Sequence, residues 1–204
     1  MTITLKHSGI KIVQVRVYNF RSLKQVDVSL DYITVLIGEN NSGKTSFLEA
    51  LYAAIGSDRH FISGDDVYLS PSEKKTPKDR VVMIDLLIKP TDDDGNVIPN
   101  FAEGSYWVEL WGVGVTQDHD DNNDFVAIRT QMKWNATREE YNTERKFLID
   151  WLTDPNKWEQ ARINEPAGNV SPAQTEQLAL YLVRVQEITF QHEATATPRR
   201  CLIK

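Results

Sequence analysis

The sequence predicts an α/β fold that combines a strand–loop–helix core with an antiparallel β meander and a following helical segment. Three observations lead to this prediction. First, a short apolar run at 33–37 is followed by a glycine-containing loop and then by a helical pattern. Second, turn-rich connections separate three further runs that resemble strands. Third, the last third of the chain has helical patterns. We expect the corresponding parts to be residues 1–60, 61–135 and 136–204, the last of them an incomplete domain.

The first 40 residues have the pattern of three strands. Residues 12–18 alternate between valines and polar side chains, which predicts a half-buried strand, and residues 25–30 repeat the pattern. Residues 19–22 lie between them and are typical of a turn. The run at 33–37 is almost continuously apolar, so we expect a strand that is buried on both faces in the core of an α/β sheet.

A helix and three meander strands are expected next. Residues 47–55 place apolar side chains at helical spacing, and Gly56 follows where a helix often ends in glycine. Strands are predicted at 80–88, 106–115 and 125–134. The connections between them are rich in Asp, Asn and Gly, which favours antiparallel pairing.

The last third of the chain is predicted to be helical, with helices at 138–152, 155–163 and 172–188. The third of these has the strongest start signal, because Ser171 can serve as the N-cap and Gln174 stands three residues later.

Bulk composition indicates an ordinary globular chain, with 41% hydrophobic and 25% charged residues. The net charge of −6 argues against a protein that coats nucleic acid over its whole surface. Only the first 60 residues carry more basic than acidic side chains. The sequence has no apolar run of about 18 residues, so we expect no membrane partner. The single cysteine, Cys201, excludes an internal disulfide framework and fits a cytoplasmic protein.

One motif carries the chemistry of the sequence. It fits the pattern G-x-x-x-x-G-K-[ST] and consists of Gly38, Glu39, Asn40, Asn41, Ser42, Gly43, Lys44 and Thr45. In such a P-loop, successive backbone N–H groups surround phosphates, and the positive end of the following helix points at them. Lys44 can reach the β- and γ-phosphates, and the Thr45 hydroxyl can bind Mg²⁺. We therefore expect ATP and Mg²⁺ as cofactors; the alternative is a glycine-rich turn without a ligand.

The residues around the loop resemble a known group of ATPases. An Asn-Phe-Arg-Ser turn at 19–22 precedes the loop at 38–46. This arrangement resembles the N-terminal lobe of the ABC-type ATPases of the RecF, SMC and Rad50 group. It looks closest to the AAA-type ATPase domain of the OLD (overcoming lysogenization defect) nucleases. The resemblance is specific over 12–56, looser through the meander, and returns near 178–183.

The resemblance implies further site residues and partners. In these families the early arginine, here Arg21, lies beside the nucleotide, although a solvated turn arginine is an equal alternative. Asn40 matches the loop asparagine, and Ser46 extends the nucleotide-binding loop. A Q-loop glutamine helps to hold Mg²⁺, and Gln186 is the candidate. The expected partners are a second copy or a partner lobe that supplies the signature loop, and DNA through the complete assembly. The implied biology is DNA repair or anti-phage defence.

Two parts of the hydrolytic machinery of this group are not found in the sequence, namely the signature loop and an apolar strand that ends in Asp-Glu. Asp85 follows an apolar run, but Leu86 stands where the glutamate is needed. We therefore expect an N-terminal lobe that binds ATP and hardly hydrolyses it. One alternative is a self-contained P-loop kinase or GTPase in which Asp85 binds Mg²⁺. Another is an interaction subunit that binds nucleotide without turnover.

Overall fold

The computed structural model describes residues 9–55 and 62–178, and within them six strands form one antiparallel sheet. The spatial order is β2-β1-β3-β5-β4, and β6 also pairs with β5. Strand β4 pairs with residues 124–126 of β5 and β6 with residues 127–135, so the two strands share one edge of β5. The strands are β1 (Gly9–Phe20), β2 (Leu23–Ser29), β3 (Val82–Thr91), β4 (Val115–Gln117), β5 (Asp124–Asn135) and β6 (Glu140–Leu148).

Helix α1 (Lys44–Ile55) packs on one face of this sheet. Val15 pairs with Leu86, and Val17 pairs with Ile84, so these side chains share a face. All four are fully buried and belong to the same cluster as the buried residues of α1, which are Phe47, Ala50, Leu51, Ala53, Ala54 and Ile55. This core fixes the position of the loop that precedes α1.

The opposite face of the sheet contains a row of buried charges. Arg16, Asp85 and Arg129 lie side by side on β1, β3 and β5. Arg129 donates two hydrogen bonds to Asp85, of 2.8 and 2.7 Å, and both side chains are almost completely buried. The Arg16 guanidinium lies 3.9 Å from the ring centre of Trp151 and 4.8 Å from that of Trp158. Each buried charge therefore has a partner, as burial in a protein requires.

The structure confirms the strands predicted at 12–18 and 125–134, which fall within β1 and β5. The strands predicted at 25–30 and 80–88 are confirmed as β2 and β3, although β2 ends one residue earlier than predicted and β3 begins two residues later. The helix predicted at 47–55 is confirmed within α1. Gly56 lies outside the described residues.

The strand predicted at 106–115 is wrong over most of its length. Residues Tyr106–Trp111 form helix α2, residues Gly112–Gly114 a 3-10 turn, and only Val115 begins β4. Aromatic residues favour strands, but Trp107, Leu110 and Trp111 also have helical spacing. Trp111 is 2% exposed and packs edge-on against Phe147 of β6, so burial of this helical face outweighed local propensity.

The helix predicted at 138–152 is also wrong, because Glu140–Leu148 is strand β6. Asn135 accepts hydrogen bonds from the amides of Thr137 and Arg138, and Glu139 has a φ of 53°, so the chain reverses here into a hairpin. Trp134 and Tyr141 then face each other across the hairpin with their ring centres 5.1 Å apart. Pairing with β5 outweighed the helical propensity of the charged residues.

The buried strand predicted at 33–37 is wrong too. The segment forms no strand, and Ile33, Val35 and Ile37 are 77%, 71% and 90% exposed. Only Leu36 packs against the α1 cluster. A strand that is buried on both faces needs neighbours at its edges and cover on its faces. The described part of the chain provides no strand beside this segment.

The remaining helical predictions hold in part. Pro155–Gln160 is a 3-10 helix instead of the α-helix expected over 155–163. Helix α3 (Pro172–Glu176) begins with the predicted capping box of Ser171 and Gln174, while residues 179–188 lie outside the described part. The sheet takes strands from all three predicted parts of the chain, so the division into domains stays a prediction. Among the described residues, no helix has the length and apolar character needed to cross a bilayer.

Candidate nucleotide-binding site

The predicted loop borders a cavity of about 740 Å³ at the start of α1. The residues that line the cavity are Ser22, Asn40, Asn41, Ser42, Gly43, Lys44, Thr45 and Ser46. Seven of the predicted binding residues are therefore brought together. The backbone has positive φ at Asn41 (67°) and at Gly43 (92°), which curls the loop and can turn its N–H groups toward an anion.

Gly43 has two reasons to be a glycine. Its φ of +92° is strained for any residue with a side chain. In addition, a Cβ at this position would lie 2.6 Å from Cδ2 of Leu23 and 3.5 Å from Oγ of Ser22. The loop thus packs directly on the turn between β1 and β2.

Lys44 points back into the loop. Its Nζ donates to the carbonyl oxygens of Gly38 (2.8 Å) and Glu39 (2.6 Å) and to Oγ of Ser42 (3.2 Å). Gly38 and Glu39 therefore contact Lys44 through their carbonyl groups, and neither residue lines the cavity. A phosphate oxygen is a charged acceptor, and it forms a stronger hydrogen bond with an ammonium group than a neutral carbonyl does.

The N-terminal end of α1 favours an anion. The helix has 12 residues and no acidic side chain in its first turn. Thr45 and Ser46 lie in this turn and line the cavity. The partial positive charge of a helix N-terminus and its free N–H groups form a ready site for phosphate.

The Arg21 side chain is held by two carboxylates beside the cavity. Its Nε donates to Oδ1 of Asp66 at 2.7 Å, its backbone N donates to the carbonyl of Asp66 at 2.7 Å, and its guanidinium forms an ion pair with Glu49 of α1. The cavity lining includes Ser22, the next residue, but not Arg21. A direct role of Arg21 in nucleotide binding stays a prediction.

Asp85 lies on the far side of the sheet from the loop. Its neighbours Ile84 and Leu86 pack toward α1, so the Asp85 side chain points to the other face, where Arg129 binds both of its carboxylate oxygens. This placement argues against Asp85 as a Mg²⁺ ligand. Gln186 lies outside the described residues. Within the described part of the chain, no group of three His, Cys, Asp or Glu side chains could hold a metal ion.

Two residues at the site were missed from the sequence, Ser22 and Asp66. Ser22 lines the cavity and its Oγ lies 2.8 Å from Oγ of Ser46, while Asp66 anchors Arg21. The Asn-Phe-Arg-Ser turn contained the only available signal for Ser22. Asp66 is almost completely buried and had no sequence signal, because its contact with Arg21 spans 45 positions.

A profile of the AAA ATPase domain matches residues 10–169. The chain belongs to this family. The match includes the P-loop, α1 and all of the sheet except Gly9, and it confirms the predicted fold class of a P-loop ATPase. Membership of the AAA ATPase domain family supports nucleotide binding by the chain. A closer relation to the OLD nucleases stays a prediction.

The sequence of this AAA ATPase domain matches no curated protein. A solved structure from work on the ATP-driven dimerization and DNA-stimulated activation of SMC ATPases is similar to it, with 13% identity and a TM-score of 0.41. That similarity covers 81% of this chain and 75% of the other chain.

Proposed function

We propose that this chain is the ATP-binding lobe of a RecF-, SMC- or OLD-like protein, and that it binds ATP with Mg²⁺ in the cavity beside α1. The single observation that carries the proposal is the position of the Lys44 side chain. Its ammonium group donates hydrogen bonds to carbonyl oxygens of a curved loop, and this loop leads into the N-terminal end of helix α1. Lys44 and the helix end would hold the phosphates of ATP, and the Thr45 hydroxyl would be a ligand for Mg²⁺, which would supply positive charge against the phosphates.

The cavity is better suited to binding than to turnover. Its lining residues, Ser22 and residues 40–46, include no carboxylate that could orient an attacking water. Asp85, which the kinase or GTPase alternative needs, is paired with Arg129 on the other face of the sheet. The missing groups would come from a partner lobe or a second copy. An interaction subunit that binds nucleotide without turnover has the same cavity.

The exposed segment 33–37 supports a partner lobe. Three of its large apolar side chains are more than 70% exposed, and the segment leads directly into the loop at residue 38. We propose that strands of a partner lobe cover this segment and in this way complete the nucleotide site. ATP binding would then drive engagement of the two lobes, as a switch. DNA as a partner, and a role in DNA repair or anti-phage defence, rest on the resemblance alone.

A binding assay with a fluorescent ATP analogue tests the proposed function. We expect Lys44→Ala to abolish binding and to leave the fold intact, because the hydrogen bonds of the Lys44 ammonium group go to the exposed loop and Lys44 is not part of the α1 core cluster. Lys75→Ala is the matched control, since Lys75 is an exposed lysine outside the cavity lining. Equal affinity of the Lys44 variant and the parent would overturn the proposed function.

A further inference from the structure

Two hydroxyl groups from different parts of the chain meet at the edge of the cavity. Oγ of Ser22, in the turn between β1 and β2, lies 2.8 Å from Oγ of Ser46, in the first turn of α1. Both residues line the cavity. Ser46 belongs to the predicted loop, whereas Ser22 lies outside it in the sequence, 24 positions away.

The turn that carries Ser22 is fixed on both sides. On one side, Arg21 binds Asp66 through its backbone and its side chain and forms an ion pair with Glu49 of α1. On the other side, the Leu23 side chain is 7% exposed and fills the space next to Gly43. Ser22 is thus held at the cavity by its two neighbours, and its hydroxyl needs little reordering to contact a ligand.

The chemistry of the pair favours an anionic acceptor. Two hydroxyl groups have two protons, and one proton is used in the hydrogen bond between them. The other remains available to a ligand, and the bond between the two groups polarises it further. Phosphate oxygens only accept hydrogen bonds, and bonds to charged acceptors are stronger than those to neutral ones. Lys44, in the same lining, provides the positive charge.

We propose that Ser22 is part of the phosphate site and acts with Ser46 as a single hydroxyl pair that donates one hydrogen bond to a phosphate group of the nucleotide. This inference rests on the proposed function. It adds a contact from the antiparallel sheet to a site that the loop and α1 otherwise form. The β1–β2 turn would thereby connect bound phosphate to the sheet.

Competition binding with the full chain tests the pair, with MgATP and magnesium pyrophosphate as the two probes. The variants are Ser22→Ala, Ser46→Ala and the double variant, with Ser22→Thr as the version that keeps the hydroxyl. Ser29→Ala is the matched control, because Ser29 is an exposed serine on β2 away from the cavity lining. The thermal unfolding midpoint of each variant is measured without nucleotide.

We expect Ser22→Ala to weaken both probes by the same factor, about tenfold, since a hydrogen bond to a charged group is lost. The affinity of the double variant should be no lower than that of the single variant with the lower affinity, because the two serines act as a unit. Ser22→Thr should bind like the parent. The midpoint of Ser22→Ala without nucleotide should match that of Ser29→Ala, since Ser22 and Ser29 are both exposed.

Three results would overturn this inference while the Lys44 result stands. These are a Ser22→Ala affinity equal to that of Ser29→Ala, additive effects of the two serines, and a loss of affinity that is matched by a lower midpoint without nucleotide. If the parent chain binds neither probe, the proposed function itself fails.

Discussion

Replacement of Gly43 by alanine tests the link between the loop conformation and binding. The φ of +92° is strained for alanine, at about 1–3 kcal/mol. The new Cβ would also lie 2.6 Å from Cδ2 of Leu23. Leu23 is buried in the α1 cluster, so its displacement costs about 1–3 kcal/mol more. Keeping the native loop in Gly43→Ala therefore costs about 2–6 kcal/mol.

Most of this cost should appear in nucleotide affinity. Residues 38–42 are exposed, so the loop can adopt another conformation while the sheet and α1 stay folded. Nucleotide binding must then restore the native loop, which lowers the apparent affinity by about thirtyfold or more. The unfolding midpoint should fall by only a few degrees, since about 1 kcal/mol corresponds to 2–4 °C in a chain of this size.

Gly95→Ala is the control for backbone strain. Gly95 has a similar φ of +82°, but no atom lies within 4 Å of an added Cβ, and the residue is far from the cavity lining. We expect a small loss of stability and unchanged affinity for a fluorescent ATP analogue. Parent-like affinity of Gly43→Ala, or an equal loss of affinity in Gly95→Ala, would show that the backbone conformation at Gly43 does not control nucleotide binding.

Three further outcomes are expected. Thr45→Ala should weaken nucleotide binding more with Mg²⁺ than with EDTA, because only the metal ligand is lost; an equal loss in both buffers would show that Thr45 does not bind the metal. Steady-state phosphate release from residues 1–204 should be close to that of the Lys44→Ala blank, and turnover of about one per second that disappears in the blank would favour a self-contained enzyme. Arg129→Met should lower the free energy of unfolding by about 3–5 kcal/mol in urea, because Asp85 stays buried without its partner. The nucleotide affinity of Arg129→Met should not change. A variant that keeps the stability of the parent but loses nucleotide affinity would contradict the inference that the Asp85–Arg129 pair and the nucleotide site are on opposite faces of the sheet.

The strands and the loop were predictable because their signals are local. Alternating valines at 12–18 mark β1, and the glycine and lysine spacing at 38–45 marks the phosphate loop regardless of the rest of the chain. The errors at 106–115 and 138–152 have a different origin. In both segments the deciding contacts, Trp111 with Phe147 and Trp134 with Tyr141, come from tertiary packing and strand pairing.

The same reason explains what was missed at the site. Ser22 reaches the cavity only because Leu23 packs next to Gly43 and Arg21 binds Asp66. These contacts join parts of the chain that are 20 or more positions apart, and no spacing rule reveals them. The wrong prediction of a buried strand at 33–37 has another origin. The apolar run predicts burial, but it does not indicate which strands would pack beside it.

The most direct test of nucleotide binding is to titrate MgATP into the ¹⁵N-labelled chain and to follow its amide signals by NMR. We expect saturable shifts at one ATP per chain, largest at residues 40–46 and at Ser22, and we expect Lys44→Ala to abolish these shifts. Unchanged amide signals at excess MgATP, or shifts in other parts of the chain that persist in Lys44→Ala, would contradict ATP binding at this loop.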